Sequence, residues 1–392
     1  MRVLMLAWEY PPNIVGGLGR HMGGLCPALA KKGVEVHVIT SSAPDLPSYE
    51  EKDGVHIHRV DENFIFPLDF AHKIHQLNFA VIQAAIPLLN KNKFQIIHAH
   101  DWLNCMSGKV LKHAYKIPLV ATIHATEFGR RGGLTEPLSR YIHSQEWLLG
   151  YEAWRVIVCS EGMREEVMNV LSVPPDKIEV IPNGVDLERF NVEVEEGFRE
   201  RFLAPDEKMI LFVGRLVWEK GVDVLIDSAP YVLSRFPKAK FIVVGKGDIE
   251  GHRERARNLG VESKFFFTGF LDDETVAKLY KCADVCVYPS RYEPFGIVAL
   301  EAMAVGIPPV TSNAQGFRET VRNGENGIIT QVGDPLSLAQ GILLLLENPE
   351  LKKMLGERAK RLATREFRWE KNADKTIALY KKVIKERKRV KW

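Results

Sequence analysis

Short runs of β-branched and other apolar residues recur along this 392-residue chain, each followed by an amphipathic stretch. In the first half they fall at residues 3–7, 34–40, 96–99, 119–123, 156–159 and 178–181. The second half repeats the pattern at 209–213, 240–244, 264–268, 285–288 and 309–311. The runs are nearly continuous in apolar character, without alternation, as expected of strands covered by helices on both faces. Parallel α/β sheets follow, and two such series predict two Rossmann-like, doubly wound parallel-sheet domains facing a cleft. The Pro and Asn-Gly of Ile181-Pro182-Asn183-Gly184-Val185-Asp186 mark a turn, and a polar stretch over residues 191–201 comes next. The expected division is a first domain over 1–194 and a second over 195–372. A helical run follows from Ala373 to Ile384.

Bulk properties narrow the function classes. Lys plus Arg is 53 and Asp plus Glu is 50, a net charge of +3 that is too small to point to nucleic acid or membrane as the main partner. The apolar N-terminus is interrupted by Glu9 and Pro11-Pro12, so it reads as a buried strand and not a secretory signal. Residues 64–89 are apolar but broken by Asp69, His72, Lys73, His75 and Pro87, which disfavours a bilayer span. Cys26, Cys105, Cys159, Cys282 and Cys286 are scattered without a CxxC pair, the pattern of a reduced cytoplasmic protein with buried thiols. The basic C-terminal stretch from Lys381 to Trp392 reads as a solvated helix end; the alternative is a weak docking surface for anionic glycan-bound or lipid surfaces.

In open parallel sheets, ligands sit beyond the carboxyl ends of strands, so the loops there carry the chemistry. The first runs from Tyr10 through Gly16-Gly17-Leu18-Gly19 into a helical pattern at Met22, Leu25 and Leu29. Adjacent glycines allow close backbone approach, and free amides at a helix start attract phosphate. It is not the dinucleotide fingerprint, because Met22 stands where a third glycine belongs. At His98-Ala99-His100-Asp101-Trp102 an HxH pair invites a metal reading, but no further residue of ligand spacing completes it. Presentation of Asp101 and Trp102 to a sugar is the favoured reading. His124 follows another strand and is expected to face the cleft. Asp272-Asp273 reads as a helix cap, and no metal site is expected.

The second half is more specific. Gly214-Arg215 ends its first strand and Lys220-Gly221 opens the next helix, placing two cations where they can clamp a diphosphate. A later strand ends at Tyr288 and leads through Glu293-Pro294-Phe295-Gly296-Ile297 to Glu301. A helix is expected to begin near Phe295, with Pro294 favouring its first turn and the Gly296 and Ile297 amides aimed at phosphate oxygens.

These residues resemble the retaining glycosyltransferases of the GT-B fold, family 4 and its neighbours the glycogen and starch synthases. Glu293 and Glu301 match the family's E-x7-E pattern, and Arg215 with Lys220 matches its G-R-x-x-x-x-K-G element. The Gly16-Gly17 loop, His124 and the IPNGVD stretch occupy their usual places, and the resemblance implies that the terminal helix, 373–392, crosses back onto the first domain. The resemblance implies that Arg215 and Lys220 neutralise the donor diphosphate, and that Glu301 holds the ribose and Glu293 the transferred sugar. It also implies that the Gly16, Gly17, Gly296 and Ile297 amides, with Phe295, line the donor site, and that His124 stabilises positive charge at the anomeric carbon. Glu9 and Asp101 fall on the acceptor side. The implied co-substrate is a nucleotide-diphosphate sugar, ADP-glucose or UDP-glucose, with a carbohydrate acceptor and no bound metal.

One departure bears on the product. Bacterial glycogen and starch synthases carry Lys two residues before the Gly-Gly pair, where this chain has Ile14, and their later Gly-Gly-Leu loop reads Gln315-Gly316-Phe317 here. An α-glucan is the leading product; a maltosyl phosphate or another polysaccharide or lipid-linked product is compatible. A nucleotide-sugar epimerase and a non-catalytic sugar-nucleotide binder are more distant alternatives.

Overall fold

A computed structural model describes residues 1–391; Trp392, the last residue of the basic tail, lies outside the described residues. The chain divides into two compact units, Met1–Gly184 with Trp369–Trp392, and Val185–Arg368. The division thus falls after Gly184, ahead of the position near 195 expected from the polar stretch. Within the second unit the Val185 amide donates to the Phe367 carbonyl at 2.9 Å, which ties the start of that segment to its end.

The first unit is an eight-stranded sheet in the order β3-β4-β2-β1-β5-β6-β7-β8. Its strands are β1 (Arg2–Leu6), β2 (Glu35–Ser41), β3 (Tyr49–Lys52), β4 (Val55–Val60), β5 (Ile96–His100), β6 (Leu119–Ile123), β7 (Arg155–Val158) and β8 (Ile178–Val180). All pairings are parallel except β3 with β4. The apolar runs become central strands with side chains such as Val3, Leu4, Ile97 and Val120 fully buried. The unexpected β3–β4 pair closes one edge. Its outer strand, Tyr-Glu-Glu-Lys, is mostly exposed and charged, as suits an edge that must not pair with other chains.

The last helix, Trp369–Arg387, groups with this unit. It packs against the helix Gly17–Lys31 so closely that a methyl group on Gly24 would come within 2.0 Å of the Trp369 ring. Among the described residues, no helix is long and apolar enough to cross a membrane. Residues 64–89 instead contribute most of the amphipathic helix Phe70–Lys91.

The second unit is a six-stranded parallel sheet in the order β11-β10-β9-β12-β13-β14. Its strands are β9 (Lys208–Val213), β10 (Ala239–Val244), β11 (Phe265–Gly269), β12 (Val285–Tyr288), β13 (Pro309–Ser312) and β14 (Ile328–Thr330). Ile210, Phe241, Val243 and Val287 lie in its core with Leu225, Ile226 and Leu345 from the flanking helices. In each unit the strand order reverses beside the first strand, at β1/β5 and at β9/β12. A doubly wound sheet opens its ligand crevice at such a point.

Candidate functional site

In the first unit, the loop leaving β1 wraps around one carboxylate. Glu9, 5% exposed, accepts from the amides of Val15 at 2.7 Å, Gly16 at 2.8 Å and Gly19 at 3.3 Å through Oε2. The helix Gly17–Lys31 has no side-chain cap, so this carboxylate supplies the negative charge its amino end favours. Burial raises the Glu9 pKa although the three amides pull it down. Glu9 therefore organises the glycine loop, and the Gly16 amide expected for phosphate is held by it here. Nothing lies within 4 Å of where a side chain on Gly16 or Gly17 would start, so open space remains beside the loop.

Four histidines meet at the carboxyl ends of β5 and β6. His98 bonds the Tyr380 hydroxyl at 2.6 Å and the Thr122 hydroxyl at 2.7 Å. His100 Nδ1 lies 3.1 Å from His124 Nε2, and His21 Nδ1 lies 2.8 Å from Asn183 Oδ1. The His21 and His124 rings stand edge-on at 4.6 Å. Nε2 of His21 and of His100 is buried with no hydrogen-bond partner among the described residues. Burial lowers all four imidazoles, His21 and His124 to about 3, so the cluster is uncharged at neutral pH. The HxH pair that looked incomplete in sequence is thus joined by His21 and His124. Ligand atoms of His21, His100 and His124 lie within 4.8 Å of one another. His21 carries no local signal, and Asn183, though it lies in the IPNGVD stretch, is brought to His21 only by the fold.

Asp101 and Trp102, expected to present to a sugar, are both largely buried. Asp101 is 7% exposed and Trp102 5%. Trp102 packs edge-on against Phe70 and Tyr141. Asp101, at φ +58°, turns its carboxylate onto the backbone after β6, accepting from the amides of His124 at 2.7 Å and of Ala125. It fixes the loop that carries His124. Burial raises its carboxyl to about 6 in spite of Arg130 and these amides.

A second buried acid lies nearby. Glu146 is 2% exposed; its Oε1 accepts from the Glu127 amide at 2.8 Å and lies 3.7 Å from Arg130. Burial raises its carboxyl to about 8 from the ordinary 4.5. A folded-state pKa above the unfolded one contributes stability that is fully present below about 4.5 and lost as pH rises through about 8. Glu146→Gln keeps the carbonyl acceptor and cannot ionise. Its melting temperature relative to the parent should therefore be higher at about pH 9 than at about pH 6. A difference that stays constant across that range would mean the carboxyl is ionised throughout.

In the second unit, the loops after β9 and β12 are knitted together. The Glu219 carbonyl accepts from the Arg291 amide at 2.8 Å, and Arg291 forks onto Asp223 at 2.8 and 2.6 Å. Gly221 has φ +68°, and a Cβ there would stand 2.1 Å from the Pro289 carbonyl oxygen, so only glycine lets the loops approach this closely. Lys220 Nζ donates to Glu293 Oε2 at 2.7 Å, and half-exposed Arg215 pairs with Glu219 at 2.9 Å. Both expected diphosphate cations are therefore present, each resting on a carboxylate.

The turn after Glu293 differs from the expected helix start. Gly296 takes φ +94° with Phe317 filling the space a Cβ would need, and the helix begins at Ile297, ending at Ala304. Phe295 is 3% exposed and packs against Phe367, which leaves its backbone rather than its ring for a ligand. Glu301, 5% exposed, is held by an ion pair with Arg189 and by the Tyr280 hydroxyl at 3.0 Å. The Tyr288 hydroxyl donates to that of Tyr280 at 3.1 Å. Arg189 and Tyr280 were not singled out in the sequence. The one local signal is Asp186, which ends the IPNGVD stretch and accepts from the Arg189 amide at 3.3 Å. Asp272 caps its helix as expected, accepting from the Thr275 amide at 2.9 Å.

Comparison with known proteins agrees in both halves. Residues 193–362 match the family described as Glycosyl transferases group 1, and residues 15–189 match Glycosyltransferase Family 4. An uncharacterized glycosyltransferase of Methanocaldococcus jannaschii is 40% identical over 97% of this chain and 98% of its own. The glycogen synthase of Mycobacterium tuberculosis is 35% identical over 97% of this chain and 94% of its own. Among solved structures, sucrose-phosphate synthase from Thermosynechococcus elongatus gives a TM-score of 0.83 at 25% identity, covering 98% of this chain and 99% of that one.

Proposed function

This chain belongs to the GT-B glycosyltransferases of group 1 and family 4, and from that membership we propose that it moves a hexosyl unit, a glucosyl unit in our reading, from a nucleotide-diphosphate sugar to an α-glucan with retention of configuration. The observation that carries the reading is the Lys220–Glu293 pair, set in loops beside the point where the second sheet reverses its strand order.

The chemistry asks for stabilisation of separated charge. The bond between the anomeric carbon and the diphosphate breaks, its electron pair leaves with the diphosphate, and the sugar becomes oxocarbenium-like. In this reading Lys220 and Arg215 exchange their carboxylate partners for phosphate oxygens, and the Gly296 and Ile297 amides add donors. Glu293, released from Lys220, accepts from the sugar hydroxyls, and Glu301 accepts from the ribose. An acceptor hydroxyl attacks from the face the diphosphate leaves, and its proton passes to the departing phosphate. His124 stabilises the developing cation through its carbonyl or its ring, a role that suits an imidazole kept neutral by burial, since an imidazolium would repel it. Protein cations take the part that a metal plays elsewhere. Thiols at all five cysteines fit a reducing, cytoplasmic setting.

The glucan takes support from the 35% identity to a glycogen synthase. Ile14, where glycogen synthases of the bacterial type place Lys, favours a second reading in which a sugar phosphate such as glucose-1-phosphate is the acceptor. Retention is tested by proton NMR of the linkage made from an α-configured glucosyl donor. An α-linked product supports same-face attack; a β-linked product overturns it.

A further inference from the structure

A second histidine cluster lies toward the amino ends of β2 and β4, opposite the strand ends that carry His124. Side chains two residues apart on a strand share a face, and β2 runs parallel to β4 with His37 opposite His56 and Ile39 opposite His58. Glu35, His37, His56 and His58 therefore project together. The rings of His37 and His56 stack at 4.4 Å and those of His37 and His58 at 5.5 Å. His37 Nδ1 lies 3.2 Å from His58 Nε2, and His37 Nε2 lies 3.3 Å from Glu35 Oε1. Tyr49 on β3 bonds His56 Nδ1 at 3.0 Å, and Glu51 Oε2 is 3.8 Å from the same nitrogen.

We propose that this face binds one borderline divalent cation, Zn2+ or Ni2+, through Glu35, His37 and His56, with His58 orienting His37. Each of the three ligands offers an atom, and these atoms lie within 4.8 Å of one another. Imidazole with a carboxylate is a donor set that suits zinc and nickel. Binding sets the tautomer: His37 Nδ1–H donates to His58 Nε2 and frees Nε2 for the ion, the outer hydrogen bond that metal-bound histidines commonly make. Arg2 donates to Glu35 Oε1 at 2.6 Å, the same oxygen that faces His37 Nε2, so in this proposal the carboxylate turns to bring its second oxygen to the cation. The side chains of Glu35, 42% exposed, and His56, 25% exposed, have room to turn toward it. The ion would join β2 to β4 near the sheet edge, away from the strand ends where donor chemistry is placed.

The test is competition titration of the untagged full chain with Zn2+ and with Ni2+ against a chromophoric chelator. About one equivalent is expected to bind, and His56→Ala and Glu35→Gln should each weaken it about 10- to 100-fold. Both positions are partly exposed, and neither belongs to the donor site, so donor turnover should be unchanged. Binding that persists undiminished in both variants would place the ion elsewhere, such as the buried His21, His100 and His124 group, and overturn the proposal. Absence of binding by the parent chain would overturn it as well.

Discussion

Replacing Lys220 by alanine is expected to lower kcat/KM for donor turnover by about 10²–10³-fold, the usual loss when one preorganised charge donor is removed from a reacting centre. Lys220 is 21% exposed at its side chain and already points at Glu293 across 2.7 Å. In the proposed site a diphosphate meets a cation whose backbone is fixed by the Gly221 turn and whose ammonium group exchanges Glu293 for a phosphate oxygen. The substitution has a second consequence, because Glu293 is 7% exposed and loses its counter-charge. Removing one partner of a buried pair is costly, so a lowered melting temperature should accompany the loss of rate. Lys220→Arg separates the two effects: it keeps the charge and should recover most of the stability, with rate recovered only as far as the longer guanidinium reaches the same phosphate. Turnover within a few-fold of the parent in Lys220→Ala would remove this residue from the donor site.

Asp101→Ala is expected to reduce kcat by about 10²-fold, the scale on which a small misplacement of a reacting group acts, with a smaller change in donor KM. The reason is positional. The Asp101 carboxylate holds the His124 and Ala125 amides, and without it the loop after β6 loses the contacts that set where His124 stands. Asp101→Asn retains an oxygen acceptor and should lie between alanine and the parent. The donor diphosphate is assigned to the second unit, so its affinity should be nearly preserved. An equal loss of donor affinity and rate would indicate that Asp101 touches substrate, as first expected from its place beside Trp102.

The central strands were legible because burial on both faces demands continuous apolar runs, and β6 and β12 have the bounds read from the sequence. The β3–β4 pair was not, because Tyr49–Lys52 is charged and exposed, and Val55–Val60 alternates where the other runs do not. β14 escaped because Ile328–Thr330 is too short to stand out from the loop around it. Among the proposed donor-site residues, Gly16, Arg215, Lys220 and Glu293 were readable because they lie where strands end or helices begin, and Glu301 because of its spacing from Glu293, although it sits within the helix Ile297–Ala304. Their partners were not. Arg189 and Tyr280 reach Glu301 from other elements, and His21 and Asn183 meet at 162 positions apart. Such pairings are set by packing, which no local pattern encodes. Asp101 was visible as a polar residue at a strand end, but its positive φ and inward turn follow from the amides it must satisfy.

Release of nucleoside diphosphate tests the central claim most directly. ADP-glucose, UDP-glucose and GDP-mannose would each be offered with and without glycogen, maltose or glucose-1-phosphate. The account predicts release from a glucosyl donor, stimulated by a glucan and abolished in Glu293→Ala. Release that no carbohydrate acceptor stimulates, from any donor, would contradict it.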